Sequence, residues 1–228
     1  MKFFLDSAMI DEISHALDMW DIDGVTTNPR HVQVSGKPFL VAVREIGELF
    51  TGTNKTVSVQ TNPNNHDNYR AIVDEAEALA AMNDSFVIKM PCTEAGFKAC
   101  KILSDQAIRC NLTLCFSVMQ ALQAMRMGAY YVSPFIGWKE SNAEETRHFI
   151  DEIVTMRSTY DFQTEVLVAA VRNGRQIVEA AVAGAHIVTA GFAVYEEAFK
   201  HPYTDVGLGK FQEFWDATPY DEQVSTVS

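Results

Sequence analysis

The chain has 228 residues, 47% hydrophobic and 21% charged, a balance that suggests neither a disordered chain nor a membrane protein and suits one large globular domain spanning residues 1–228. Its 30 acidic and 18 basic residues leave a formal charge of −12, which repels nucleic acid and anionic membrane, so an anionic ligand must be held by a few local basic groups. No run approaches the roughly 20 apolar residues of a spanning helix, and MKFFLDSAMI breaks its short apolar run at Asp6 without a cleavage site, so a cytoplasmic location is expected.

In chain order, KFFLD reads as a strand and is followed by the helical pattern AMIDEISHALDMW. GVTTN precedes KPFLVAVREIGELF, TVSVQT precedes HDNYRAIVDEAEALAAMN, and FVIKMP precedes EAGFKACKILSDQAI. NLTLCF then leads into SVMQALQAMRMG, YYVSPF into AEETRHFIDEIVTMRSTY, EVLVAAV into NGRQIVEAAVAG, and HIVTAG into AVYEEAFK. The strands are near-continuous apolar runs, as parallel strands covered on both faces require, while the helical segments repeat apolar residues at i, i+3, i+4. Eight such units of roughly 28 residues predict a (β/α)8 TIM barrel. An open doubly wound sheet would need a glycine-rich turn after its first strand, and none is present; GELFTGTNK has the wrong spacing for a phosphate loop. An additional C-terminal helix is expected over 205–220, its large aromatics Phe211, Phe214 and Trp215 packing on the barrel or on a neighbouring subunit.

Function in such a barrel collects at the C-terminal ends of the strands. There the sequence places Asp6, Thr26, Asn28, Gln60, Lys89, Thr113, Ser133 and Arg172, from seven successive strands. Each has an ordinary alternative: Asp6 as a helix cap, Asn28 before Pro29 as a turn, Thr113 as a good strand residue. Lys89 is the exception, an amine inside an apolar strand. It could extend to water or pair with Asp6; held away from water it loses hydration, its neutral form is favoured, and it becomes a nucleophile toward a carbonyl. Four cysteines (Cys92, Cys100, Cys110, Cys115) show no ligand spacing and read as buried free thiols. The six histidines form no ligand pair, so neither a metal nor another cofactor is expected.

FLD at the start, GVTTNP, VIKMP followed by TEAGFKA, NLTLCFS with QAL, GAYYVSPFIG, RNGRQIVEAAVAGAHIVT and HPYTDVGLGKF together resemble the transaldolase family in its short form, which includes fructose 6-phosphate aldolase. The resemblance runs in order over nearly the whole chain. It implies a metal-free class I aldolase in which Lys89 forms the Schiff base, Asp6 is the acid/base, Thr113 helps hold a catalytic water, and Gln60 stands where transaldolases usually carry glutamate. Thr26, Asn28 and Ser133 match residues that bind the dihydroxyacetone portion. The departures concern the other end of the substrate: Trp138 replaces the family's arginine after SPF, Ala170 replaces a serine before Arg172, and Arg30 followed by His31 replaces the usual serine or threonine after TNP. Loss of a bidentate arginine is not neutral for a phosphate dianion. Two arginines, Arg30 and Arg172, beside the Trp138 indole suit a shorter monoanion, so the branch of the family acting on 6-deoxy-6-sulfofructose is the expected match, with transfer to an aldehyde such as glyceraldehyde 3-phosphate. Fructose 6-phosphate as donor, simple aldol cleavage, and a silent sugar-acid-binding barrel are the alternatives. The resemblance also implies a homo-oligomer, a pentamer or decamer.

Overall fold

A computed structural model describes residues 1–219. Eight parallel strands, β1 (Lys2–Asp6), β2 (Gly24–Thr26), β3 (Thr56–Gln60), β4 (Phe86–Pro91), β5 (Cys110–Cys115), β6 (Tyr131–Pro134), β7 (Glu165–Val171) and β8 (Ile187–Ala190), pair in sequence order, and β8 returns to β1 to close the barrel. The expected eightfold alternation is present, with strand limits within two residues of those read from sequence.

The interior of the barrel is graded. Side chains alternate in and out along a strand, and Phe4, Val87, Tyr131, Leu167, Ala169 and Ile187 form an apolar cluster inside, with Phe4 and Tyr131 meeting edge to face at 5.9 Å. Two residues further along the same strands come Asp6 after Phe4, Lys89 after Val87, Ser133 after Tyr131 and Thr189 after Ile187. An apolar floor therefore gives way to a polar layer toward the strand C-termini. Gly24 is confined to its size at the floor, since a Cβ there would lie 2.6 Å from the Phe4 ring and from the Thr56 carbonyl. The larger core lies outside the strands, where Val25, Val57, Ile88, Leu112 and Val166 meet the buried stripes of the surrounding helices.

The helices begin where the sequence supplies caps. After α1 (Ile10–Trp20), the Asn28 side chain accepts from His31 N and Pro29 occupies the first turn of α2 (Pro29–Val34). The chain continues through α3 (Phe39–Phe50), the 3-10 turn Pro63–Asn65 and α4 (Tyr69–Ala80). Next, α5 (Glu94–Asp105) is capped by Thr93, and α6 (Val118–Arg126) opens with the Ser117/Gln120 capping box. Then come α7 (Ile136–Ser141), α8 (Arg147–Thr159), α9 (Gly174–Val182) and α10 (Phe192–Ala198). Two of these, α2 and α7, lie within loops of the sequence reading.

The last helix, α11 (Pro202–Asp216), starts three residues earlier than expected; residue 220 of the expected span lies outside the described residues. None of its side chains is buried against the barrel, and Tyr203, Leu208, Phe211 and Phe214 are exposed. No described helix is long and apolar enough to cross a membrane.

Candidate active site

The polar layer opens into a cavity of about 570 Å³ at the strand C-termini. Asp6, Asn28, Gln60, Lys89, Thr113 and Arg172 line it, joined by Arg30 on α2 and Trp138 on α7. Thr26 and Ser133, also expected there, are buried and absent from the lining. Thr26 instead donates to Asp6 Oδ1 at 2.7 Å, and Ser133 donates to Asn111 Oδ1 at 2.7 Å, while the Asn111 amide reaches Ser58 at 3.0 Å.

Lys89 does not extend to water, and among the described residues it forms no ion pair. It is 4% exposed, and its Nζ donates to the main-chain carbonyl of Thr27 at 3.0 Å. One acceptor is little for an ammonium carrying three N–H bonds. Burial pushes the amine below its ordinary 10.5, and the Asp6 charge offsets this only in part. A lysine so placed has access to the neutral form that attacks a ketone.

Asp6 is held from two sides. His31 Nε2 lies 3.1 Å from Oδ2, opposite the Thr26 bond to Oδ1. Burial alone would raise this carboxyl, but the His31 hydrogen bond, the charges of Lys89 and His31 and the Thr26 hydrogen bond outweigh it, so Asp6 sits below 3.8 and is ionised at neutral pH. An amine able to attack a carbonyl and a carboxylate able to move a proton therefore share one cavity.

Thr113 places a buried hydroxyl in the same cavity with no hydrogen-bond partner among the described residues. Its strand is irregular just beyond it: the β5–β6 register shifts between Leu112 and Cys115, and Leu114 takes φ +56°. β7 repeats the device, with a shift between Val168 and Val171 and φ +58° at Ala170. Such bulges re-aim side chains at barrel rims.

The rim carries the cations. Arg30 and Arg172 are both exposed. Arg172 donates its guanidinium to the Ser141 hydroxyl of α7, and its main-chain N–H donates to Gln176 at 2.7 Å. Trp138, 57% exposed, meets Phe116 and Phe135 with ring centroids 5.8 Å away in each case, so its indole is one wall of an aromatic corner.

Sequence reasoning missed three contributors. His31 was noticed only as a departure after TNP, and its approach to Asp6 shows no signal before α2 is folded; Thr27 acts through a main-chain carbonyl that any residue carries; Ser141 lies on the short helix that periodicity could not detect. All four described cysteines are free and buried. No cluster of three or more His, Cys, Asp or Glu side chains suited to a metal occurs among the described residues.

Among solved structures, 3-hexulose-6-phosphate synthase from Salmonella typhimurium superposes with TM-score 0.60 at 15% identity, over 87% of this chain and 93% of that one. Thiamine phosphate pyrophosphorylase from Pyrococcus furiosus gives 0.57 at 13%, over 86% and 93%. The sequence matches are closer. Two proteins named 6-deoxy-6-sulfo-D-fructose transaldolase, from Priestia aryabhattai and Priestia megaterium, are each 52% identical over 219 residues, 96% of both chains. A probable transaldolase of Aquifex aeolicus is 42% identical over 96% of this chain and 98% of its own. The model of the transaldolase/fructose-6-phosphate aldolase family matches residues 3–226, and with named transaldolases sharing 42–52% of its residues end to end, this chain belongs to that family.

Proposed function

We infer that the chain is a class I transaldolase whose donor is a ketohexose with an anionic group at C6, 6-deoxy-6-sulfofructose above others. The observation that carries this reading is the buried Lys89 amine, with its single acceptor at Thr27, facing the same cavity as the ionised Asp6. Lys89 Nζ attacks the C2 ketone, and loss of water from the carbinolamine gives an iminium, with Thr113 and Gln60 positioning the water. Asp6 accepts the C4 hydroxyl proton as the C3–C4 bond breaks, and the iminium takes up the electron pair as an enamine. The aldehyde bearing the anionic tail leaves. The enamine then attacks an acceptor aldehyde such as glyceraldehyde 3-phosphate, Asp6 returns the proton to its oxygen, and hydrolysis of the new iminium frees Lys89. Asn28 reaches the dihydroxyacetone hydroxyls, with Thr26 and Ser133 acting from behind the wall.

Arg30, Arg172 and Trp138 receive the tail. A sulfonate is a monoanion whose charge is shared by three oxygens on a sulfur bonded directly to carbon, and two separate guanidinium groups beside an indole fit it better than they fit a phosphate dianion. The Priestia relatives named for this donor support the choice. A homo-oligomer, pentamer or decamer, in which α11 lies on a neighbouring subunit is part of the same reading, supported by that helix's exposed aromatics. A single domain and a cytoplasmic home are likewise inferred, the latter supported by four free thiols.

Borohydride reduction in the presence of the donor tests the chemistry: a three-carbon adduct is expected on the peptide containing Lys89, and labelling elsewhere or nowhere ends the Schiff-base assignment. Rates with 6-deoxy-6-sulfofructose, fructose 6-phosphate and fructose, each with and without acceptor, test the donor. Equal or better use of fructose 6-phosphate would overturn the sulfonate reading.

A further inference from the structure

His31 stands third in α2, and its main chain is pinned by the Asn28 cap, His31 N donating to Asn28 Oδ1 at 3.1 Å. Its ring is 24% exposed and lines the cavity, with Nε2 3.1 Å from Asp6 Oδ2. On the other side of the carboxylate, Thr26 spends its one hydroxyl proton on Oδ1, so the 2.7 Å contact between Thr26 and Thr189 must run with Thr189 as donor. The chain Thr189 to Thr26 to Asp6 is thereby directed, and its free end is His31. Among the described residues His31 is the ionisable side chain within hydrogen-bond reach of Asp6. The charged groups around the same cavity are Asp6 from β1, Lys89 from β4, Arg30 from α2 itself and Arg172 after β7; β8 and α10 contribute only Thr189 and Val194.

We propose that His31 is a positioning residue for the acid/base carboxylate: donating Nε2–H to Oδ2, it fixes the plane of Asp6 and keeps its proton-accepting form available beside the bound donor. The inference rests on the aldol reading above. Its balance is simple. Asp6 takes the C4 hydroxyl proton as C3–C4 breaks and returns one proton to the acceptor's oxygen as the new carbon–carbon bond forms, while His31 keeps its hydrogen bond and undergoes no net change. Thr26 alone leaves the carboxylate free to rotate about its Cβ–Cγ bond, because a single donor fixes only one oxygen. Two donors on different oxygens remove that freedom, which is the kind of alignment on which proton transfer depends.

The test uses the full chain with His31→Leu and His31→Gln, glutamine retaining a donor but no charge. For His31→Leu, kcat is expected to fall on the order of a hundredfold, with the donor KM within about twofold. The acid limb of kcat, read at saturating donor where Lys89 is already joined to the sugar, moves to higher pH, because the groups that hold Asp6 ionised are reduced to Thr26 and Lys89. His31→Gln recovers most of kcat and still shows the displaced limb, which also decides the matter should the leucine variant fold poorly. A wild-type kcat and an unmoved acid limb in either variant overturn the proposal. Borohydride trapping runs in parallel: a Lys89 adduct in the wild type with unmoved pH profiles in the variants removes His31 alone, whereas no adduct in the wild type removes the aldol reading and this proposal with it.

Discussion

A buried amine with one acceptor is a source of instability as well as reactivity. Because burial lowers Lys89 below 10.5, the unfolded chain binds its proton more tightly than the folded one, and stability rises as pH climbs from the folded value toward 10.5. Lys89→Met keeps the length and removes the charge, so it is expected to abolish the borohydride adduct and raise Tm at pH 7 by ~2–4 °C, the shift given by about 1 kcal/mol in a chain of this size. Calorimetry of the two proteins checks it. Asp6 has the opposite sign: its folded value lies below 3.8, so its contribution is present above 3.8 and is lost as pH falls through the folded value. Thr113 separates activity from stability differently. Among the described residues its hydroxyl has no hydrogen bond to lose, so Thr113→Val should leave Tm unchanged or slightly raised while turnover drops about a hundredfold. A parallel loss of Tm would show that the hydroxyl is structural.

At the scale of elements, two short helices set the rim. α7 presents Trp138 to the cavity and, three residues later, holds Arg172 through Ser141. It can approach β7 because residue 137 is glycine: a Cβ there would lie 2.1 Å from the Ala170 carbonyl and 3.0 Å from Arg172 Nε. Gly137→Ala therefore displaces α7, at about 1–3 kcal/mol of stability, and should raise the donor KM through Arg172 while the Lys89 adduct still forms. Trp138→Arg restores the family's residue and is expected to shift the kcat/KM ratio toward fructose 6-phosphate by at least about tenfold, the worth of one charge-assisted contact; an unchanged ratio would place Trp138 outside tail recognition. The barrel itself was legible because every strand is a short apolar run followed by a longer periodic one. Helices of six residues, α2 and α7, are too short for a period to register. Asn28–Pro29 was nonetheless a readable start, a good N-cap before proline at the first helical position. The bulges at Leu114 and Ala170 had no such sign, since neither carries the glycine that left-handed backbone favours. Alternation from Phe4 to Asp6 and from Val87 to Lys89 made the polar layer predictable, while the retreat of Thr26 and Ser133 behind it depended on partners, Asp6 and Asn111, that the register of neighbouring strands brings near.

For the molecule as a whole, α11 is the outlying element. Phe211 and Phe214 stand 72% and 69% exposed, a large apolar surface for a chain of charge −12 to leave in water. Light scattering should return a mass several times that of one chain, and Phe211→Glu with Phe214→Glu should reduce it; a monomeric wild type would contradict the assembly. The order of the strands has one more consequence. Asp6, the Thr27 carbonyl and Lys89 all belong to the first 91 residues, whereas Trp138, Ser141 and Arg172 come from the half that follows. On the proposed reading, bond making and most of the tail-side wall are thus encoded in separate stretches of the gene, so recombination or drift in the later stretch would retune which sugars are accepted without touching the proposed nucleophile or its carboxylate.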